Sequence, residues 1–183
     1  MKDLVNRRTL TLIVIILLAA SLRLVPHIPN VTPIAAMALF GGVHFSRRRI
    51  ALLVPLASMA LSDLLLGVFI YKTGWWHNGM PFVYAALAFT VWLGGRIKKD
   101  PTTGRIAKSA LAGSTAFFLL TNFGVWLTGS LYAKSLAGLA ACYLAAIPFF
   151  QNTLLGDAFF TLALFGGFSL AARRWKVLRS HPA

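Results

Sequence analysis

The sequence predicts an all-α, polytopic membrane protein with six transmembrane helices, forming one integral membrane domain over residues 1–183. Three observations carry this. Apolar runs of membrane-spanning length recur along the whole chain. Hydrophobic residues make up 58% of it and charged ones 12%, and its four acidic side chains are all aspartates. That is too little charge to cover a soluble domain. The lysines and arginines fall in short clusters between the apolar runs, where they act as topology determinants. A net charge of +14 would suggest nucleic acid in a soluble chain. Confined to such clusters it does not, and no nucleic-acid partner is expected.

The first span, about Thr9 to Val25, is roughly 25 Å long at 1.5 Å per residue, just enough to cross the hydrocarbon. No small-residue cleavage site follows it but Pro26-His27, so it reads as a retained helix rather than a signal peptide. The second span, Pro33 to Phe45, is short, with Pro33 suited to its first turn. The third covers Ile50 to Tyr71, the fourth Pro81 to Ile97 and the fifth Ile106 to Thr128. Pro148 breaks the last apolar region. The sixth span then runs from Asn152 to Ala172, and Ser135 to Ile147, too short to cross, becomes a surface or re-entrant helix on the outer side.

Charge counting supports this division. With the N-terminus inside, the inner face receives Lys2, Arg7, Arg8, Arg47, Arg48, Arg49, Arg96, Lys98, Lys99, Arg105, Lys108, Arg173, Arg174, Lys176 and Arg179. The outer face receives Arg23, Lys72 and Lys134. Fifteen against three is a strong positive-inside bias, and it makes both termini cytoplasmic. A seventh span at Ser135 to Ile147 would send the four C-terminal charges outside.

Polar residues collect on the predicted outer side. Asp3 and Asp100 lie at the inner face, where water reaches them. Asp63 and Asp157 sit inside apolar segments, and an unpaired carboxylate there costs several kcal/mol, so both are candidate site residues; the plainer role is an interhelical hydrogen bond. On the sixth helix Thr153, Asp157 and Thr161 make a polar line at i, i+4, i+8. On the fifth, Phe118, Asn122 and Trp126 do the same, and an asparagine among apolar residues needs a helix or a ligand as partner. Tyr84 begins the fourth helix, and Asn152 the sixth. His27 and Asn30 come from the elbow "PHIPN", held in one shape by Pro26, Pro29 and Pro33. Together these side chains describe an outward-facing pocket with a polar floor and aromatic walls, suited to a small molecule. Tyr71, Trp75 and Trp76 read as an interfacial aromatic belt, and His44 as structural.

No enzyme constellation stands out. There is no Walker-type loop, HExxH, cysteine–histidine cluster or nucleophile elbow. No catalytic residue, metal or cofactor is therefore expected. The single cysteine, Cys142, rules out an internal disulfide. The pairs Gly41-Gly42, Gly94-Gly95 and Gly166-Gly167 suit close helix packing.

The runs "RLVPHIPNVTPIAAMALFGG", "SDLLLG", "MPFVYAALAF", "TNFGVWL" and "PFFQNTLLGDAFF" resemble a family of small bacterial transport proteins. That family is similar to the S components, the vitamin-binding membrane subunits of energy-coupling-factor (ECF) transporters. The resemblance implies an S-component-like six-helix bundle in the inner (plasma) membrane of a bacterium, taking up a vitamin or cofactor precursor from the outer face. It also implies an ECF energising module as partner. The Ala-x-x-x-Ala spacing that such docking uses on the first helix is absent here; it occurs instead at Ala141 to Ala145. Within the group the nearest likeness is to solitary cobalamin transporters, whose histidine, aspartate and tyrosine match His27, Asp63 and Tyr84. Their cobalt-ligating cysteine has no counterpart between Tyr71 and Pro81. The other reading is a membrane enzyme or assembly factor acting on a lipid or cofactor at the outer face.

Overall fold

A computed structural model describes residues 6–72 and 74–179; Lys2 and Asp3 lie outside this range. Among the described residues the chain is helical, with no strand. Helix α1 is Arg7–Ser21, followed by a 3-10 turn at Leu22–Leu24. Helix α2 is Ile34–His44, and α3 is Arg48–Leu65, continued by a π turn at Leu66–Ile70. Helices α4, α5 and α6 are Met80–Ile97, Thr103–Thr128 and Leu136–Thr161. A π turn at Leu162–Gly166 carries α6 directly into α7, Gly167–Arg174.

Local chemistry sets several of these starts. Asn6 caps α1 through Thr9 N at 2.8 Å, Thr102 caps α5 through Arg105 N at 3.4 Å, and Ser135 caps α6 through Gly138 N at 3.2 Å. Each side-chain oxygen satisfies one of the donors a helix start leaves open. Pro33 is the cap residue of α2, one place earlier than the sequence suggests.

Four helices are long and apolar enough to cross a membrane: Arg48–Ile70, Met80–Ile97, Thr103–Thr128 and Leu136–Arg174. Helices α1 and α2, at 15 and 11 residues, are shorter. The six-span expectation is thus met by four helices of full length.

The larger correction concerns Pro148. No break occurs there. Ser135 caps, and the predicted surface helix and sixth span form one continuous helical stretch of 39 residues, about 58 Å long. A proline withholds one backbone donor, but α5 splints this region from the side. Tyr143 OH donates to Leu119 O at 2.7 Å, Cys142 Sγ donates to Asn122 O at 3.4 Å, and the rings of Phe118 and Phe150 lie 4.6 Å apart. Contacts on both sides of Pro148 support the helix where the donor is missing, as neighbouring helices do in membranes.

The shortest helix is the central one. In α2 nearly every side chain is buried, with Met37, Leu39 and Phe40 almost fully enclosed, as expected of a helix apolar on all faces. It packs on α1, α3, α4, α5 and α6. Against α4 the contact is backbone on backbone. A Cβ on Gly42 would lie 2.2 Å from Val91 O, and one on Gly94 would lie 2.5 Å from Leu39 O. Of the predicted glycine pairs, Gly41, Gly42 and Gly94 serve close packing. Gly95, Gly166 and Gly167 face open space.

The two ends of the bundle differ in character. At one end Arg8 donates to His44 O and to Leu178 O, each at 3.1 Å, and Lys98 donates to Phe45 O at 2.5 Å. These bonds gather the start of α1, the ends of α2 and α4 and the turn after α7, so both ends of the described chain meet there. Burial and the nearby Arg8 lower the Lys98 ammonium's pKa from its ordinary value. The elbow of residues 25–33 lies at the other end. Asn30 has φ 65°, a left-handed conformation that asparagine tolerates well. Behind it the Val31 backbone rests on α6, where a Cβ on Gly156 would come within 2.9 Å of Val31 Cα.

Candidate binding cleft

The predicted site residues do not share one pocket. They fall into four groups. At the elbow end, Arg23 Nη1 meets Asp63 Oδ1 at 2.8 Å, and Tyr84 OH donates to Asp63 Oδ2 at 3.3 Å. The same guanidinium nitrogen donates to Ser62 Oγ at 2.5 Å. Asp63 and Tyr84 are therefore brought together as expected, but Arg23, a residue the sequence reading counted only as an outer charge, already partners the carboxylate. A membrane-embedded acid needs such a cation or water.

The elbow forms the second group. His27 is exposed, and its Nδ1 donates to Val25 O at 2.7 Å. Asn152 Nδ2 donates to Pro29 O at 3.2 Å, and Asn30 Nδ2 reaches Phe149 O at a long 3.5 Å. Both amides tie the elbow to α6. In the third group, at the tip of the α5–α6 hairpin, each side chain serves local backbone. Asn122 Nδ2 donates to Phe118 O at 2.8 Å, and Trp126 Nε1 donates to Ala133 O at 2.9 Å. Lys134 lies over the Trp126 ring at 5.7 Å and donates to the backbone of Trp126 and Gly129.

Asp157 stands apart, in the wall of a large cavity. Toward the basic end, α5 continues to pack on α4, while the π turn after α6 packs on α2, and the 3-10 turn after α7 on α1. Between these elements a cleft of about 1850 Å³ opens at the basic end. Its walls are apolar, with Ile106, Ala110 and Leu111 from α5 facing Leu154, Leu162 and Phe165. Its mouth carries Arg7, Arg8, Lys98, Lys99, Arg173 and Arg179. Its inner end holds Ser114, Asp157 and Thr161.

Asp157 is 5% exposed and accepts one hydrogen bond among the described residues, from Ser114 Oγ at 2.6 Å. No described cation pairs with it. Thr161 Oγ1, one turn along the same helix face, is buried without a partner among the described residues. So is His44 Nε2, whose ring sits between Phe40 at 4.4 Å and Phe168 at 4.3 Å. A buried polar atom left unpaired costs about 1–3 kcal/mol, so such atoms on a cavity wall point to something that enters the cavity. Ser114 and the mouth cations were missed by the sequence reading. Ser114 carries a faint signal, a hydroxyl in the apolar middle of a long helix. Among the described residues no group of three metal-binding side chains occurs.

Four apolar helices of spanning length, a backbone-packed central helix and a basic-mouthed cleft define an all-helical protein of the membrane-spanning class. The chain belongs to DUF6580, a family of unknown function, whose profile matches residues 3–178. No curated protein and no solved structure matches it.

Proposed function

We propose that this chain is a membrane transport protein of the S-component type, binding a vitamin-like molecule or cofactor precursor for uptake, and is not an enzyme. The observation that carries this reading is the cleft. It runs between two spanning helices from the basic end to Asp157, about midway along the continuous helical stretch Leu136–Arg174. Its volume, about 1850 Å³, exceeds the roughly 1,000 Å³ upper range of ordinary small-molecule pockets, which suits a large or elongated ligand. At the opposite end of the bundle Arg23, Asp63 and Tyr84 bond one another and the elbow is seated on Gly156, contacts that would keep that end closed. A passage open at one end and closed at the other is one state of an alternating-access carrier. In this reading His27, Asn30, Asp63 and Tyr84 meet the substrate first on the outer side, and it leaves through the basic mouth. Helices α1 and α2 complete six passes, with both termini cytoplasmic in a bacterial plasma membrane.

Native mass spectrometry of the protein extracted from its membrane tests the function. A ligand bound one-to-one, and lost when Ala107→Trp fills the cleft, is the expected result. Turnover of a bound molecule, or an empty protein in every preparation, would sink the transport reading. Orientation is checked separately. In a Cys142→Ser background, Asn78→Cys is expected to react with an impermeant thiol reagent in intact cells, and Lys99→Cys only after lysis. Equal labelling of both in intact cells overturns the topology.

A further inference from the structure

The cleft has chemistry of opposite sense at its two ends. The inner end offers the acceptor oxygens of the Asp157 carboxylate, bonded by Ser114 alone, and the unpaired Thr161 hydroxyl, which can accept as well as donate. No described cation balances the carboxylate. The mouth offers cations. Arg8, Lys98 and Arg179 are spent on backbone carbonyls, but the Arg7, Lys99 and Arg173 side chains make no hydrogen bond or ion pair among the described residues. Asp100, the acidic residue of the neighbouring loop, is already held by Arg105 at 2.5 Å. From Asp157 to Arg173 is sixteen residues of helix, about 24 Å, and the walls between are mainly apolar, with His44 and Ser169 among the polar exceptions.

We infer that the cleft binds an elongated, apolar-bodied molecule with a hydrogen-bond-donating amine at one end and an anionic group at the other. The amine lies against Asp157 and Thr161, the anion at Arg7, Lys99 and Arg173. This deepens the proposed function and rests on the cleft being a ligand path. A purely cationic ligand would have to pass the basic mouth uncompensated. A simple fatty acid or a phospholipid tail would place a methyl group against a buried carboxylate, leaving both Asp157 and Thr161 unsatisfied. A molecule charged oppositely at its two ends satisfies both fields.

The test uses the full chain in lipid vesicles, with Ala110→Cys in the cleft wall of a Cys142→Ser background. The rate of maleimide labelling at that thiol reports occupancy of the cleft. Three probes of equal chain length are compared: ω-aminododecanoate, dodecanoate and dodecylamine. ω-Aminododecanoate is expected to protect the thiol at concentrations about ten-fold or more below those of the other two, as one charge-assisted bond at each end requires. Asp157→Asn keeps size and shape and is expected to erase its advantage over dodecanoate. Lys99→Gln with Arg173→Gln is expected to erase its advantage over dodecylamine. Melting temperatures of the variants separate these effects from misfolding, and Thr161→Val supplies a second, milder change at the inner end. Equal protection by dodecanoate and ω-aminododecanoate overturns the two-ended ligand while leaving the cleft as a binding path. Failure of all three probes to protect overturns the inference, and the transport reading then stands or falls on the co-purified ligand.

Discussion

Replacing Arg23 with methionine is expected to lower the stability of the folded bundle by about 3 kcal/mol, the cost typical of stranding one member of a buried pair. The Arg23 and Asp63 side chains are only 13% and 11% exposed, and the guanidinium also holds Ser62 and touches Met59 Sδ at 3.1 Å. Removing the cation leaves the carboxylate with Tyr84 OH at 3.3 Å as its remaining side-chain partner. The double change Arg23→Met with Asp63→Leu is expected to recover most of the loss, because apolar replacements of a buried pair cost little. Thermal unfolding in one detergent across the four proteins of this cycle measures the coupling. If the double variant is as unstable as the sum of the singles, the pair does not act as a unit.

Gly42→Ala and Gly94→Ala are the second pair of large effects. In an exposed helix, alanine for glycine gains about 1 kcal/mol from propensity alone. Here the new methyl group would meet backbone, Val91 O at 2.2 Å and Leu39 O at 2.5 Å respectively. Neither carbonyl can turn aside without shifting a helix. Overpacking of this kind costs about 1–3 kcal/mol or more, and α2 is the element on which most of the bundle leans. Gly95→Ala is the internal control, since nothing lies within 4 Å of its added Cβ; it is expected to be neutral or mildly stabilising. Equal melting temperatures for Gly42→Ala and Gly95→Ala would show that α2 and α4 do not meet through their backbones.

These two predictions also show which parts of the structure were legible in the sequence. Helix positions largely were, because apolar runs and small residues such as Gly42 are local signals, although the caps Asn6 and Thr102 set two starts a few residues earlier than the apolar runs suggest. Partnerships across the chain were not. Asp63 finds its cation 40 positions away and Asp157 its hydroxyl 43 positions away, and no periodicity connects them. Asp63 and Tyr84 group as the sequence suggests, while Arg23 counts there only as an outer-face charge, because a lysine or arginine near a helix end usually marks the membrane surface. Pro148 misled for a different reason. Its missing donor is a local fact, whereas the contacts from α5 that keep the helix running are tertiary. The cleft had no signature at all, since a void is made by the angle between helices and not by any residue type.

The unbroken rod from Leu136 to Arg174 has a mechanical consequence. It is one crankshaft with two journals: Pro148, which lacks a backbone donor, and the π turn at Leu162–Gly166, where a Cβ added at Gly166 or at the following Gly167 would meet nothing within 4 Å. The segment beyond the second journal, α7, is eight residues and about 12 Å long. A tilt of about 20° there would sweep Arg173 and Arg174 through roughly 4 Å. That displacement is comparable to the width of a hydrocarbon chain, and it would leave the Ser114–Asp157 bond, upstream of the pivot, undisturbed. The aperture and the inner anchor of the cleft are therefore mechanically separable, although one helix carries both.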